Sequence, residues 1–536
     1  MTAGAGQLEL SGGAAEAWRP RFNPWVVTFT VMLSTFMEVL DGTIANVALP
    51  HIASNLAVSV DESTWVLTSY LVSNAIVLPM SGWFSSLFGR KRFYMACVFL
   101  FVVGSLLCGL ATSIGWLVFF RVLQGAGGGA LQPTSQAILV ESFPRSKQGM
   151  AMAAYGIGVV MAPIIGPTLG GWITDNYTWR WIFFINIPVG AISLLMTSGI
   201  VEDPPYFIRR ALKTLRIDYM GIGLLAVGLG FLQVVFDKGQ RDDWFESNFI
   251  TIAAVVAGLG LALALVWELT RKDPVVDIRL LKDRNFLIAN LLMFMLGFVL
   301  YSSTALMPIF TQTLLGYTAL LAGEAMSPGG LATIFMLPLA GFLLPRVGPR
   351  WLIATGLLTT GLAHCWYMAG FNLQISFGIA ATSRILLALG LAFLFVPINA
   401  AAFSFVPRAK MSNATGIINL ARNIGGSAGI AFVTTLLARR AQFHQNILVE
   451  HVTPYNPDYQ TLVAGAGHAL AAKGAGAVDA AHQAQGVVYG LVQQQAGVLS
   501  FIDNFWLLGV FFLCMIPLAF LLRNPPAGAA HASLEA

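Results

Sequence analysis

Fourteen apolar runs, each long enough to cross a bilayer, constrain this chain more than any other feature. They lie at about 25–49, 64–84, 93–113, 115–140, 149–172, 181–201, 218–236, 248–269, 286–311, 318–344, 351–371, 375–402, 413–437 and 503–522. A helix crossing the hydrocarbon layer needs roughly 20 residues. Backbone in lipid has no water to pair with, so each run is expected to be a helix that satisfies its own hydrogen bonds. Composition agrees: 57% of the 536 residues are apolar and 10% are charged, against about 45–50% and 25% in soluble domains. The first run starts at Trp25, is too long for a signal-peptide core and holds two acids, so it is expected to remain as a span.

The placement of Lys and Arg sets the expected topology. With the N-terminus in the cytoplasm, 21 of these residues fall on the inner side, six on the outer side, and Arg121, Arg384 and Arg422 fall within spans. Both termini are therefore expected to be cytoplasmic. The net charge of +5 follows from loops between spans and needs no nucleic acid to explain it. Cys97, Cys108, Cys365 and Cys514 sit inside apolar runs with no metal or redox spacing, and read as packing residues.

The two ends of the chain repeat each other. LPMSG at 78–82 with Gly89 matches LPLAG at 337–341 with Gly348, an offset of 259. SFPRSK at 142–147 matches SFVPRAK at 404–410, and Arg121 matches Arg384, both at an offset of 263. The expected organisation is a cytoplasmic tail 1–24, a six-helix bundle 25–202, and a cytoplasmic linker 203–285 carrying two inserted membrane helices. A second six-helix bundle 286–523 follows, including an extracytoplasmic segment 438–502, and then a tail 524–536. The segment 438–502 is rich in Ala, Gly, Gln and His, ends in a helical pattern with Val487, Val488, Leu491 and Val492, and is expected as a solvated hairpin. Two parallel halves of this kind are the plan of a secondary transporter, with its substrate site between them near the midplane.

An ionisable side chain inside a span costs about 2.5–3.5 kcal/mol on insertion scales, so it is read first as functional. Glu38 and Asp41 lie three residues apart on the first span and project from roughly one face. Close carboxylates in low dielectric resist double ionisation, which fits a group that loads and releases a proton. Asp41 is the leading candidate, with Glu38 beside it. Arg121 on the fourth span lies at matching depth and is the expected partner of Asp41. Gln124 and the glycines 125–129 follow it; Gly125-x-Gly127-x-x-Ala130 resembles a dinucleotide fingerprint but lacks the preceding strand, so close helix packing is the better account. On the fifth span, Gly156, Gly158, Pro163, Gly166, Pro167, Gly170 and Gly171 are expected to form a kinked, close-packing face. Tyr70, Asn74, Gln132, Tyr155, Tyr301, Asn399 and Arg422 are candidates, with Gln124, to line a substrate cavity. His364 stands alone and reads as structural. An intramembrane enzyme would need His, Ser or acids converging at one depth, and one acidic pair does not supply them.

These strings resemble the major facilitator superfamily, specifically its fourteen-helix drug:proton antiporter family of the EmrB/QacA type. The match rests on LDGTIANVALP at 40–50, RVLQGAG from Arg121, GPTLGG at 166–171, WRWIFFINIPVG at 179–190, NLARNIGG at 419–426 and the QQQA…DNFW ending. The resemblance implies the major facilitator fold and proton-coupled efflux by alternating access, with no cofactor and the proton gradient as energy source. It places Asp41 in the first-span acidic motif, Arg121 in the proton-translocation motif, and Gly166 and Pro167 in the antiporter motif. Gly82, Gly89, Arg90 and Lys91 correspond to a cytoplasmic gating loop, where Ser86 stands in place of the family's acid. It further implies a bacterial inner-membrane location and small hydrophobic substrates. By analogy, 438–502 would contact a periplasmic membrane-fusion adaptor of the EmrA type, leading to an outer-membrane channel. A transporter of the same fold dedicated to one metabolite or siderophore is the alternative.

Overall fold

The computed structural model describes residues 20–144, 147–204, 218–474 and 476–523. Expectations that fall on 1–19, 145–146, 205–217, 475 and 524–536, including most of the first tail, the second tail and most of the linker's basic cluster, lie outside the described residues. The first half holds α1 (Pro24–Asn55), α2 (Trp65–Phe88), α3 (Arg90–Leu110), α4 (Ile114–Gly128, resuming as Leu131–Ser142), α5 (Gln148–Asn176) and α6 (Trp181–Phe184, resuming as Asn186–Ile200). The inserted pair is α7 (Tyr219–Lys238) and α8 (Asn248–Thr270). The second half holds α9 (Arg284–Thr313), α10 (Ala319–Val347), α11 (Pro349–Leu362), α12 (Phe377–Phe403) and α13 (Met411–Val449), then α14 (Pro457–Ala472) and α15 (Ala477–Leu521).

Among the described residues, twelve helical spans are long and apolar enough to cross a membrane. The two further expected spans are helical but differ in kind. For 351–371, α11 ends at Leu362 and passes through a π-turn, Ala363–Tyr367, into a short 3-10 turn. For 413–437, α13 carries Asn413, Asn419, Arg422 and Asn423 in its first half, which lowers its apolarity.

The repeat is visible in the turns. Gly89 (φ 84, ψ 149) joins α2 to α3, and Gly348 (φ 82, ψ 156) joins α10 to α11. Each residue closes one helix and opens the next in a backbone region that is essentially confined to glycine. The same sharp reversal therefore recurs at the same place in both halves.

The halves meet along two seams, α5 against α10 and α2 against α13. Small residues allow the approach: a Cβ on Gly82 would stand 2.7 Å from the backbone nitrogen of Asn413, and one on Gly341 would stand 3.0 Å from the carbonyl of Gly149. The inserted helix α7 packs on α2 and also on α13. Thr68 donates to Asp237, Lys238 donates to Thr64 at 2.6 Å, and Ser427 of α13 donates to Gln233 at 3.0 Å. The pair thus touches both halves across one seam, while α8 turns Ile252, Val255, Leu259 and Leu263 outward.

The segment 438–502 is helical along most of its length, and the expected span limits at 437 and 503 are not helix ends. α13 has 39 residues and α15 has 45. At 1.5 Å per residue α15 is about 67 Å long, roughly twice the hydrocarbon thickness. The excess of both helices over the length a span needs, with α14 packed on α15, forms a helical extension. Asp503 fastens its base by accepting from Arg440 and from His444, the latter at 2.7 Å.

Candidate functional site

Two buried polar networks start from one face of α1. In the first, Asp41 Oδ2 accepts from Arg121 Nη1 at 2.6 Å, while Oδ1 accepts from Gln124 at 2.9 Å and from Asn186 of α6 at 2.7 Å. Arg121 also donates to the carbonyl of Val66 at 3.0 Å and to Gln124 Oε1 at 2.9 Å. Its guanidinium carbon lies 4.1 Å from the centre of the Tyr70 ring, a cation–π contact. Asp41 is 2% exposed and Arg121 is fully buried. Every partner belongs to the first half, so this pair ties α1, α2, α4 and α6 into one body. The sequence-level pairing of Asp41 with Arg121 is the arrangement found.

In the second network, Glu38 accepts from Tyr70 at 3.2 Å and from Asn74 at 3.1 Å on one oxygen, and from Gln132 at 2.6 Å on the other. No cation bonds directly to it among the described residues. Gln132 then accepts from Arg422 of α13, and Asn74 accepts from Asn423 of α13 at 3.3 Å. Beside this, Gln136 donates to Asn399 of α12 at 2.6 Å and accepts from Asn419 of α13 at 2.6 Å. Glu38 therefore stands at the join between the halves. The two carboxylates sit in different networks with Tyr70 between them, its hydroxyl on Glu38 and its ring on Arg121, rather than as one close acidic pair.

The expected cavity residues are mostly spent on one another. Tyr70, Asn74, Gln124, Gln132, Asn399 and Arg422 are buried and hydrogen-bonded across or beside the midline, and Tyr155 donates to the Gln132 carbonyl at 3.4 Å. Tyr301 alone of that set lines the narrow crevice between the halves, where Pro163 and Arg384 also lie. A separate apolar crevice of about 680 Å³, walled by Phe84, Phe93 and Leu100 between α2 and α3, lies outside this network.

The glycine-rich α5 packs on α1 with one stretch and on α10 with another. Gly166 sits directly over Thr43 of α1, Gly170 over Ile44, and Gly156 against Leu337 of α10 and Phe395 of α12. Gly171 has only Val47 nearby, at 3.9 Å from where a Cβ would stand, so it is not a tight contact. The helix continues through Pro163 and Pro167.

At the end expected to be cytoplasmic, Arg90 pairs with Glu141 at the end of α4 and donates to Ser412 of α13 at 2.9 Å. Ser86 only bonds its own helix, at the Trp83 carbonyl. Glu141 is thus the acid of this loop; in the sequence it stands one residue past the fourth apolar run, where nothing marks it as buried. Lys91 stays within the first half, donating to the Ser198 carbonyl at 2.6 Å. Asn186, inside the aromatic string 179–190, is a site residue that the sequence alone does not single out.

Residues 31–430 match the family model described as Major Facilitator Superfamily. The chain is similar to the multidrug export protein EmrB of Haemophilus influenzae, 37% identical over 515 residues that cover 94% of this chain and 97% of that one. It is similar to EmrB of Escherichia coli, 35% identical over 94% of this chain and 96% of that one. The fatty acid resistance protein FarB of Neisseria gonorrhoeae is 36% identical over 97% of this chain and 99% of its own length. Among solved structures, the human organic anion transporter MFSD10 superposes with a TM-score of 0.58 at 13% identity, covering 92% of this chain and all of that one. A double-tryptophan variant of XylE gives 0.58 at 14% identity, over 93% of this chain and 99% of that one; at these identities the likeness concerns the fold.

Proposed function

The chain belongs to the major facilitator superfamily, and from that premise we propose that it is a drug-efflux transporter exporting amphipathic or hydrophobic toxic compounds against an inward flow of protons. It is a multi-pass inner-membrane protein and a transporter rather than an enzyme. The observation that carries the proton-coupled reading is Glu38, a buried carboxylate without a bonded cation among the described residues, whose hydrogen bonds run into the other half through Gln132 and Asn74. Ionised, it accepts three bonds from neutral donors. Once protonated, one of its oxygens becomes a donor, and the amide of Gln132, which donates to one side and accepts Arg422 on the other, must reorient or let go. Loading a proton on Glu38 thereby loosens the contact between the halves.

Asp41 plays a different part. Three N–H groups, one of them from a guanidinium, converge on it and make it a fastening within the first half. This reverses the order in which the sequence alone ranks the two acids. The seam between α5 and α10, glycine-lined where the halves touch, serves as the surface on which they rock. Arg90, Glu141 and Ser412 form a latch that closes the cytoplasmic end. One proton moving down 100 mV supplies about 2.3 kcal/mol toward each cycle.

The Lys/Arg bias supports cytoplasmic termini, which puts the helical extension of α13, α14 and α15 outside the cytoplasm. An elongated helical hairpin suits lateral packing against another helical protein, and it is the element that would receive a periplasmic adaptor.

The test is ethidium movement in proteoliposomes under an imposed pH gradient. Accumulation that follows the direction of the gradient and collapses with a protonophore is expected. Ethidium movement indifferent to the gradient would sink proton coupling, and failure to move ethidium or any of a panel of unrelated dyes would sink drug export itself.

A further inference from the structure

The repeat that gives Arg121 a carboxylate partner gives none to its counterpart among the described residues. Arg384 lies seven residues from the first residue of α12, as Arg121 does in α4. The offsets that relate the halves, 259 to 263, carry Asp41 onto Leu300–Thr304 of α9. That stretch reads Leu-Tyr-Ser-Ser-Thr, and α9 contains no Asp or Glu at all. The second half has kept the arginine and not the acid.

Arg384 is 7% exposed. Its Nη1 donates to the Ser303 carbonyl at 3.2 Å and to the Ser303 hydroxyl at 3.1 Å. A guanidinium carries five N–H donors; Nε and Nη2 of Arg384 make no hydrogen bond among the described residues, and no ion pair joins it there. None of the residues that line the crevice with it is an acid. A buried cation left without an anion is strongly unfavourable unless something supplies the missing charge.

What it faces is suitable. Arg384 lines the crevice between the halves together with Val160 and Pro163 of α5, Tyr301 and Thr304 of α9, and Met326 of α10. The walls are mostly apolar, with one fixed charge, three hydroxyls (Tyr301, Thr304 and Thr333) and the seam of the two halves running through it. In this conformation the crevice leaves about 40 Å³ open, room for a polar head beside Arg384, and an apolar body enters only as the halves part along the seam.

We infer that Arg384 is the anion subsite of the export pathway, binding the carboxylate or comparable anionic head of an amphipathic organic acid while its apolar body lies along the crevice. The charge that α1 supplies to Arg121 from within the chain is supplied to Arg384 by the cargo. The inference rests on the efflux reading above and adds a class of cargo to it. A planar guanidinium meets a carboxylate through two parallel N–H bonds, which an ammonium at the same place cannot do.

The test uses the full-length reconstituted transporter and three fluorescent or coloured probes: dansyl-undecanoic acid, its methyl ester, and ethidium. Binding and gradient-driven transport are measured for wild type, Arg384→Gln and Arg384→Lys. Arg384→Gln is expected to weaken binding of the acid by about tenfold to a hundredfold, the size of one charge-assisted contact. The ester and ethidium are expected to bind Arg384→Gln as they bind wild type, which also shows that the variant is folded. Arg384→Lys is expected to fall between the two. Equal loss of all three probes would make Arg384 structural and overturn the subsite, and so would an unchanged affinity for the acid. Binding of the acid without its transport would overturn its assignment as cargo. A wild type that carries ester and ethidium but not the acid overturns the subsite and leaves export standing. A wild type that carries none of the three removes the efflux reading, and the subsite with it.

Discussion

Replacing Asp41 by Asn tests whether the first half is held together by a buried ion pair. Asp41 receives Arg121 on one oxygen and both Gln124 and Asn186 on the other. Asparagine offers a single oxygen and turns an NH2 toward whichever donors it does not serve. If the oxygen stays with Gln124 and Asn186, the amide hydrogens face the guanidinium; if it turns to Arg121, they face two other amides. In either pose Arg121, fully buried, loses its counter-charge. Removing one partner of a buried pair costs about 3–5 kcal/mol, because the other charge is stranded. Replacing Arg121 by Gln as well removes the stranded charge, so Asp41→Asn/Arg121→Gln is expected to be more stable than the sum of the two single losses by about 2 kcal/mol or more, within the range measured for directly coupled residues. The assay is unfolding of the purified protein in mixed detergent–SDS micelles, followed by tryptophan fluorescence. A single variant within about 1 kcal/mol of wild type, or a double variant whose loss is simply additive, would refute the reasoning.

Other perturbations have separate readouts. Gly89→Ala and Gly348→Ala each force a side chain into a backbone region costing about 1–3 kcal/mol; both are expected to lower the SDS midpoint by similar amounts, since the turns are counterparts. Glu141→Gln takes the charge from the partner of Arg90 and is expected to widen spin-label distances between α2 and α13 at the cytoplasmic end, with distances at the opposite end unchanged. Replacing 454–476, which contains α14, by a short Gly/Ser linker is expected to leave dye transport in proteoliposomes intact and to abolish resistance in cells that depends on an adaptor. Loss of transport in proteoliposomes would make that extension part of the transport machinery itself.

The helices were legible in the sequence because lipid leaves backbone polar groups no alternative, and the two halves because the Gly89 and Gly348 turns sit inside repeated strings. Asp41 and Arg121 could be matched by depth alone. What the sequence could not give was the partner list. Glu38 and Asp41 share a helix face, yet Tyr70 separates them and sends one toward Gln132 and the other toward Arg121, a division set by how α2 crosses α1. Asn186 reads as one polar residue in an aromatic string until α6 is seen against Asp41. Glu141 lay one residue beyond an expected span end, where a carboxylate is ordinarily solvated; here α3 brings Arg90 to it and buries both. The length of α13 and α15 escaped because Ala/Gln-rich helix outside the bilayer lacks the apolar run that marks helix inside it.

The central claim is that Glu38 carries the proton that substrate displaces. It is tested most directly by adding ethidium to the detergent-solubilised transporter in weak buffer with a pH indicator. Wild type and Asp41→Glu are expected to release protons on binding, whereas Glu38→Gln binds ethidium and releases none. Proton release from Glu38→Gln equal to that of wild type would contradict the account.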